Sequence, residues 1–116
     1  MNNRPDRIRK TMMKEIGDII LKDIRDKRIN GIISVTDLEL ASDYSFAKVY
    51  VSILCPDGEK DMALEALKEK EPHVRYEIGK RIRLRLTPKI EFHLDDSLER
   101  GSRISALIDK ISKGEL

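Results

Sequence analysis

The residues best suited to chemistry are the cations between Gly79 and Lys89. Five of these eleven residues are basic, and no carboxylate occurs before Glu91. Ammonium and guanidinium groups at this density bind anions, and a polyphosphate backbone is the commonest anion large enough to meet several of them at once. We therefore predict phosphate contacts, with no bond made or broken, from this cluster and one upstream neighbour: Arg75, Lys80, Arg81, Arg83 and Arg85.

Further cations are expected to flank this cluster, namely Lys89, Lys70, Arg7 and Lys10. Alternate residues of a helix lie about 200° apart, so the three odd-numbered arginines from 81 to 85 can fan out over one surface only if the helix bends or ends near Leu84. The alternative interpretation is that the cluster is a helix face exposed to solvent that binds no partner. For the N-terminal cations, the alternative is likewise that they only keep the first helical turn soluble.

Catalytic patterns are missing from the sequence. It has no glycine loop that cradles phosphates, no zinc pattern and no nucleophile beside a base. His73 and His93 have no metal-binding spacing with Cys55. Asp95 and Asp96 precede Ser97 and fit the start of a terminal helix better than a catalytic carboxylate pair. We predict a protein that is not an enzyme and needs no cofactor or metal.

Composition predicts a single intracellular domain. A chain of 116 residues with 40% hydrophobic residues can bury a core, and the 38% of charged residues are mixed along the chain rather than set in blocks. One cysteine excludes an intrachain disulfide and favours the reducing cytoplasm. No apolar run approaches the length of a membrane span, and no heptad seam indicates an oligomer, so a soluble monomer is expected.

Hydrophobic spacing predicts the elements and, from their order, an α+β fold. Apolar residues three or four apart indicate a helix over Asp6–Lys27, and alternating Ile and Val indicate an antiparallel hairpin. Pro72 should interrupt or kink the helical region that follows. The remaining predictions are strands at Ile32–Leu40 and Tyr44–Leu54, a helix from about Glu59, a third helix ended by Thr87-Pro88, a strand at Ile90–Leu94 and a terminal helix after Ser97.

Two glycines fall inside predicted helices, where glycine costs about 1 kcal/mol relative to alanine. Close packing would explain that cost. We therefore expect the first and third helices to cross near Gly17 and Gly79.

Three segments carry a resemblance to the bacterial ribosome-binding factor A family: RPDRIRKTMMKEIGDII (Arg4–Ile20), VTDLELASDYSFAKVYVSIL (Val35–Leu54) and IGKRIRLRLTPKIEFHLDDSLERG (Ile78–Gly101). The resemblance implies a type II K-homology-like domain over residues 1–116 that lacks the Gly-x-x-Gly loop. One departure is visible, since Lys70-Glu71-Pro72 stands where many relatives have an Ala-x-Gly kink.

The same resemblance implies a function. It points to a ribosome assembly factor that binds the free 30S small ribosomal subunit late in maturation, contacts 16S rRNA, assists processing of its 5′ end and supports growth in the cold. The alternative from a different class is a small protein-interaction adaptor whose basic face docks on an acidic protein.

Overall fold

The described part of the chain, residues 4–95 of a computed structural model, folds as three helices packed on one face of a three-stranded sheet. This confirms the predicted α+β class and the predicted order of elements. The terminal helix predicted after Ser97 lies outside the described residues. The bounds are Arg4–Asp23 for α1, Ile32–Leu40 for β1, Phe46–Leu54 for β2, Lys60–Lys68 for α2, Glu71–Arg81 for α3 and Lys89–Leu94 for β3.

The sheet is mixed, and β2 is its central strand. β1 and β2 form the predicted antiparallel hairpin, in which Ile32 pairs with Leu54. β3 runs parallel to β2, and its first residue Lys89 pairs with Phe46. A parallel pair needs a long crossover connection, which α2 and α3 supply here. This connection leaves β3 at the edge of the sheet beside α3, with only residues 82–88 between the two elements.

The core lies between the sheet and the helices. Alternate side chains of β2 are buried and those between them are half-buried, the period of two expected of a sheet covered on one face. Among residues 4–95, no helix combines the length and the apolarity needed to cross a membrane. The buried apolar residues include Ala47, Val49, Val51, Ile90 and Phe92 of the sheet, Met12, Ile16 and Ile19 of α1, Ala63 and Leu67 of α2, and Val74 and Ile78 of α3.

α1 ends at Asp23, before the predicted Lys27. A turn replaces the last part of the predicted helix. The side-chain carboxylate of Asp26 accepts a hydrogen bond from the backbone N–H of Arg28 at 2.9 Å, and its carbonyl accepts one from the backbone N–H of Ile29 at 3.0 Å. Aspartate competes with helix in this way because its short side chain bonds to nearby backbone groups.

α3 also ends earlier than predicted, at Arg81 rather than at Thr87-Pro88. Ile82 has an extended backbone (φ −121°, ψ 125°), while its side chain still packs against the core. Pro88 is buried, and a proline disfavours helical geometry at the residue before it. The chain between these two anchored positions is therefore a loop that turns back towards β3.

α2 and α3 are separate helices with Glu69 and Lys70 between them. Pro72 lies in the first turn of α3, where its missing N–H has no partner within the helix. The preceding Glu71 accepts a hydrogen bond at 2.7 Å from the backbone N–H of Phe92. This contact fastens the start of α3 to the edge strand β3.

α1 and α3 do meet beside Gly17, where Arg81 contacts Glu15 and Asp18, but the close helix packing expected at the two helix-interior glycines is found at neither. A Cβ placed on Gly17 would meet nothing within 4 Å, whereas one on Gly79 would lie 3.1 Å from Oγ1 of Thr87. The tight neighbour of Gly79 therefore comes from the loop before β3 and not from α1.

Candidate nucleic-acid interface

A groove of about 580 Å³ runs between α3 and the edge strand β3. α3 forms one wall, since its residues four apart lie on the same face, and the start of β3 forms the other. The groove is open to solvent, and most of its lining residues are exposed. The lining residues are Glu71, Pro72, Arg75, Tyr76, Gly79, Lys80, Thr87, Lys89 and Ile90.

Three of the predicted cations, Arg75, Lys80 and Lys89, line this groove. Arg75 donates a hydrogen bond from Nη2 to the carbonyl oxygen of Thr87 at 3.1 Å, which holds its side chain across the groove. Lys89 is exposed, and its side chain forms no ion pair with any residue in the range 4–95. The groove therefore carries positive charge on both walls.

Lys80 is held in place by two neighbours while its side chain stays 56% exposed. Its Nζ lies 3.1 Å from Oε2 of Glu77 and 5.0 Å from the centre of the Tyr76 ring. The hydrogen bond to Glu77 raises the pKa of Lys80 above its ordinary value, so the ammonium stays charged at neutral pH. Tyr76 offers the exposed ring that a cation or a flat base can contact.

The loop of residues 82–88 carries Arg83 and Arg85 beside the groove. Both side chains are exposed, and neither forms an ion pair with another described residue. The early end of α3 explains how these two alternate residues both reach solvent, because residues 82–88 form a loop and the two side chains do not project from opposite sides of a helix. These two arginines and Arg75 are the exposed guanidinium groups of the predicted cluster.

Arg81 points in another direction, towards α1. Its Nη1 lies 2.8 Å from Oδ2 of Asp18 and 3.2 Å from Oε1 of Glu15, and its side chain is only 25% exposed. The hydrogen bond to Asp18 is the main cause that raises the pKa of Arg81, and the same bond lowers the pKa of Asp18. Phosphate contact by Arg81 stays a prediction, and the geometry favours a structural role.

The flanking cations are not gathered in the groove. Arg81 meets the middle of α1 and His73 meets its last residue, Asp23, so the two helices run antiparallel. The first half of α1 therefore projects past the end of α3 on the side of the loop, and it carries Arg7 and Lys10. Arg7 is exposed, and Lys10 lies 3.3 Å from a carboxylate oxygen of Asp6. Lys70 is half-buried at the junction that precedes α3.

Sequence reasoning missed two parts of this site. Tyr76 was not among the predicted site residues, although its spacing of four from Lys80 on a helix is a signal that places the two in contact. The carbonyl of Thr87 was also missed. No sequence signal marks it, since its role depends on how the loop folds back over Arg75.

The geometry defines a small α+β domain with one cationic groove, and comparison with known proteins identifies the family. The ribosome-binding factor A family model matches residues 4–108. Ribosome-binding factor A of Caldanaerobacter subterraneus subsp. tengcongensis is 43% identical over 115 residues, which cover 99% of this chain and 94% of that protein. The one from Clostridium tetani is 44% identical over 97% of this chain and 93% of its own length. The chain belongs to the ribosome-binding factor A family.

Solved structures show the same fold. The chain is similar to the crystal structure of ribosome-binding factor A from Thermus thermophilus, with a TM-score of 0.67 and 24% identity over 77% of this chain and 92% of that one. It is also similar to a homology model of the Thermus thermophilus factor that was fitted into a cryo-electron microscopy map of a 30S complex. That match has a TM-score of 0.62 and 24% identity, over 76% of this chain and 91% of the other.

Proposed function

We propose that this chain binds the 30S small ribosomal subunit by placing the groove between α3 and β3 against the phosphate backbone of 16S rRNA. The observation that carries this proposal is the presence of Arg83, Arg85 and Lys89 beside the groove, exposed and without an ion-pair partner among the described residues. Cations that pair internally have little to gain from phosphate, whereas these three gain counterion release on binding. The fitted 30S complex of a relative supports the choice of partner.

The proposed work is conformational. Binding energy that differs between two states of an RNA shifts the population towards the state that binds better. Late in assembly, such a shift assists folding of 16S rRNA and processing of its 5′ end, and it matters most in the cold, where misfolded RNA escapes slowly. The chain acts as one domain and one copy in the cytoplasm, without a catalytic residue or a cofactor.

Recognition by shape and phosphate fits this surface better than reading of a base sequence. The groove has one aromatic ring among its nine lining residues, that of Tyr76, and three of the others, Arg75, Lys80 and Lys89, are cations. A sequence-tolerant stacking platform uses aromatic residues for successive bases. Structured RNA is recognised largely through its backbone, which the cations of the groove are placed to meet.

Co-sedimentation with isolated 30S subunits tests the proposal. The test variant is Arg83→Ala/Arg85→Ala, and the matched control is Arg25→Ala/Lys27→Ala, which removes two exposed cations from the segment that follows α1. Both lower the formal net charge from +2 by the same amount. We expect the test variant to leave the pellet and the control to remain in it. If both variants were retained equally, the groove would not be the surface that binds the subunit. That result would favour the alternative function, an adaptor that docks on a protein.

A further inference from the structure

A second cluster of titratable side chains lies where α3 faces α1, with one member in contact with Lys80 of the groove. Asp23 is the last residue of α1, and His73 and Glu77 are four residues apart on α3, so both project from one helix face towards α1. One possible ligand atom from each of the three residues lies within 4.8 Å of the other two. Sequence spacing could not reveal this cluster because its two halves are 50 residues apart.

The distances suit a small metal ion. Nε2 of His73 lies 3.2 Å from Oδ2 of Asp23. Ligand atoms of a tetrahedral zinc site with bonds of about 2.0–2.1 Å stand roughly 3.3–3.4 Å apart, so this pair already has the required separation. Glu77 has to approach by no more than about 1.5 Å, and a glutamate side chain can do so by rotation about its χ angles.

The chemistry of the ligands selects the ion. One imidazole and two carboxylates suit zinc and its first-row neighbours, whereas magnesium prefers oxygen ligands alone. Two positive groups compete for Glu77, since Lys80 lies 3.1 Å and Arg81 3.8 Å from its oxygens. This competition weakens the site without closing it, because Lys80 remains over half exposed and is free to turn towards solvent or Tyr76.

We propose that Asp23, His73 and Glu77 bind one divalent transition-metal ion, with zinc the best fit. The ion would join the end of α1 to the first turns of α3, just after the break between α2 and α3. It would therefore fix the helix that carries Arg75 and Lys80 against the rest of the domain. The inference is independent of the proposed ribosome binding and is tested without RNA.

Calorimetric titration of zinc chloride into metal-free protein provides the test, in a Cys55→Ser background that removes the only cysteine. We expect one ion per chain and a melting temperature that rises with zinc, because a ligand of the folded state stabilises it. His73→Ala should weaken zinc binding by at least about tenfold, since even the outer partners of metal ligands contribute that much. Asp23→Asn and Glu77→Gln should each weaken it as well.

His93→Ala is the matched control. His93 is the only other histidine in the chain, and it lies 3.3 Å from Glu91 on the exposed side of the sheet, outside the three-residue cluster. Zinc binding should survive this change, and millimolar magnesium should not displace zinc. The proposal is overturned if wild-type protein takes up no zinc, if His73→Ala binds as well as wild type, or if His73 alone matters and both carboxylate variants bind normally.

Discussion

Basic residues occur on both sides of α3, but those on the groove side are exposed to solvent whereas Arg81 on the α1 side is ion-paired within the protein. On the groove side, Arg75 and Lys80 are exposed, and the loop beyond adds two exposed guanidinium groups that have no ion pair within residues 4–95. On the α1 side, Arg81 is mostly covered and bonded to two carboxylates of α1. A run of cations in a sequence is therefore not one binding surface. Which side of the helix each cation occupies decides whether it meets solvent or the protein's own acids.

The largest expected difference between the two sides concerns affinity for the small subunit. Each phosphate contact adds a slope of about 0.7–0.9 to the dependence of log affinity on log salt, so losing two of them in Arg83→Ala/Arg85→Ala should weaken binding by about 25–60-fold at 0.1 M salt. Fluorescence anisotropy with labelled protein and isolated subunits measures this. A loss smaller than threefold would mean that these arginines do not face RNA.

Arg81→Ala should give the reverse result. Removing the guanidinium leaves Glu15 and Asp18 side by side without the cation that bridges them, and these like charges repel although Lys22 still pairs with Asp18. We expect a lower free energy of unfolding in urea at neutral pH, and subunit affinity within about threefold of wild type for a single screened charge. If stability stayed constant and affinity fell as far as in the loop variant, Arg81 would belong to the binding surface after all.

Low pH should remove the stabilisation that the ion pair between Arg81 and Asp18 gives to the fold. Hydrogen bonds from Arg81 and then Lys22 hold the pKa of Asp18 below its ordinary value of 3.8. A carboxyl group whose pKa is lowered by folding stabilises the fold above the unfolded pKa, and that contribution is lost as the pH falls through the folded pKa. The stability difference between wild type and Arg81→Ala should therefore shrink in urea titrations taken from pH 5 down to pH 2. A difference that stayed constant over this range would rule out the carboxylate pairing.

The smallest expected effects are changes in the free energy of unfolding when Gly17 and Gly79 are replaced by alanine, and the two changes should differ. Gly17→Ala meets open space and should raise the free energy of unfolding by up to about 1 kcal/mol, the helix preference of alanine over glycine. Gly79→Ala should gain less, because its new methyl group lies 3.1 Å from Thr87. In a Thr87→Ala background the two substitutions should become similar. Chemical denaturation of the single and double variants checks this. An equal increase in the free energy of unfolding in the wild-type background would show that the Thr87 side chain moves aside for the methyl group without a cost in stability.

Local patterns were sufficient to predict the elements of the fold. Alternation at Val49 and Val51 predicted β2, and the spacing of Met12, Ile16 and Ile19 predicted α1, because each pattern reflects one buried face. The end of α3 was predicted too late, since Lys80 to Leu86 contains no glycine or proline to stop a helix. The end of such a helix is determined by tertiary structure, here by the return of the chain to buried Pro88 and to β3.

The site was predicted only as a set of residue types. The pairing of Arg81 with Asp18 spans 63 residues along the chain, so no local spacing reports it. The groove itself forms only when β3 packs beside α3, and Arg75 finds the carbonyl of Thr87 only in that arrangement. The sequence therefore indicated that the surface is basic, and tertiary structure determines which of the basic residues lie on it.

The most direct test of the account is the slope of the logarithm of 30S affinity against the logarithm of salt concentration, measured for wild type, Arg83→Ala/Arg85→Ala and Arg25→Ala/Lys27→Ala. The account predicts that the loop variant loses about 1.4–1.8 units of slope, the value for two phosphate contacts, while the control keeps the wild-type slope. Identical slopes for all three proteins would contradict phosphate binding by the groove.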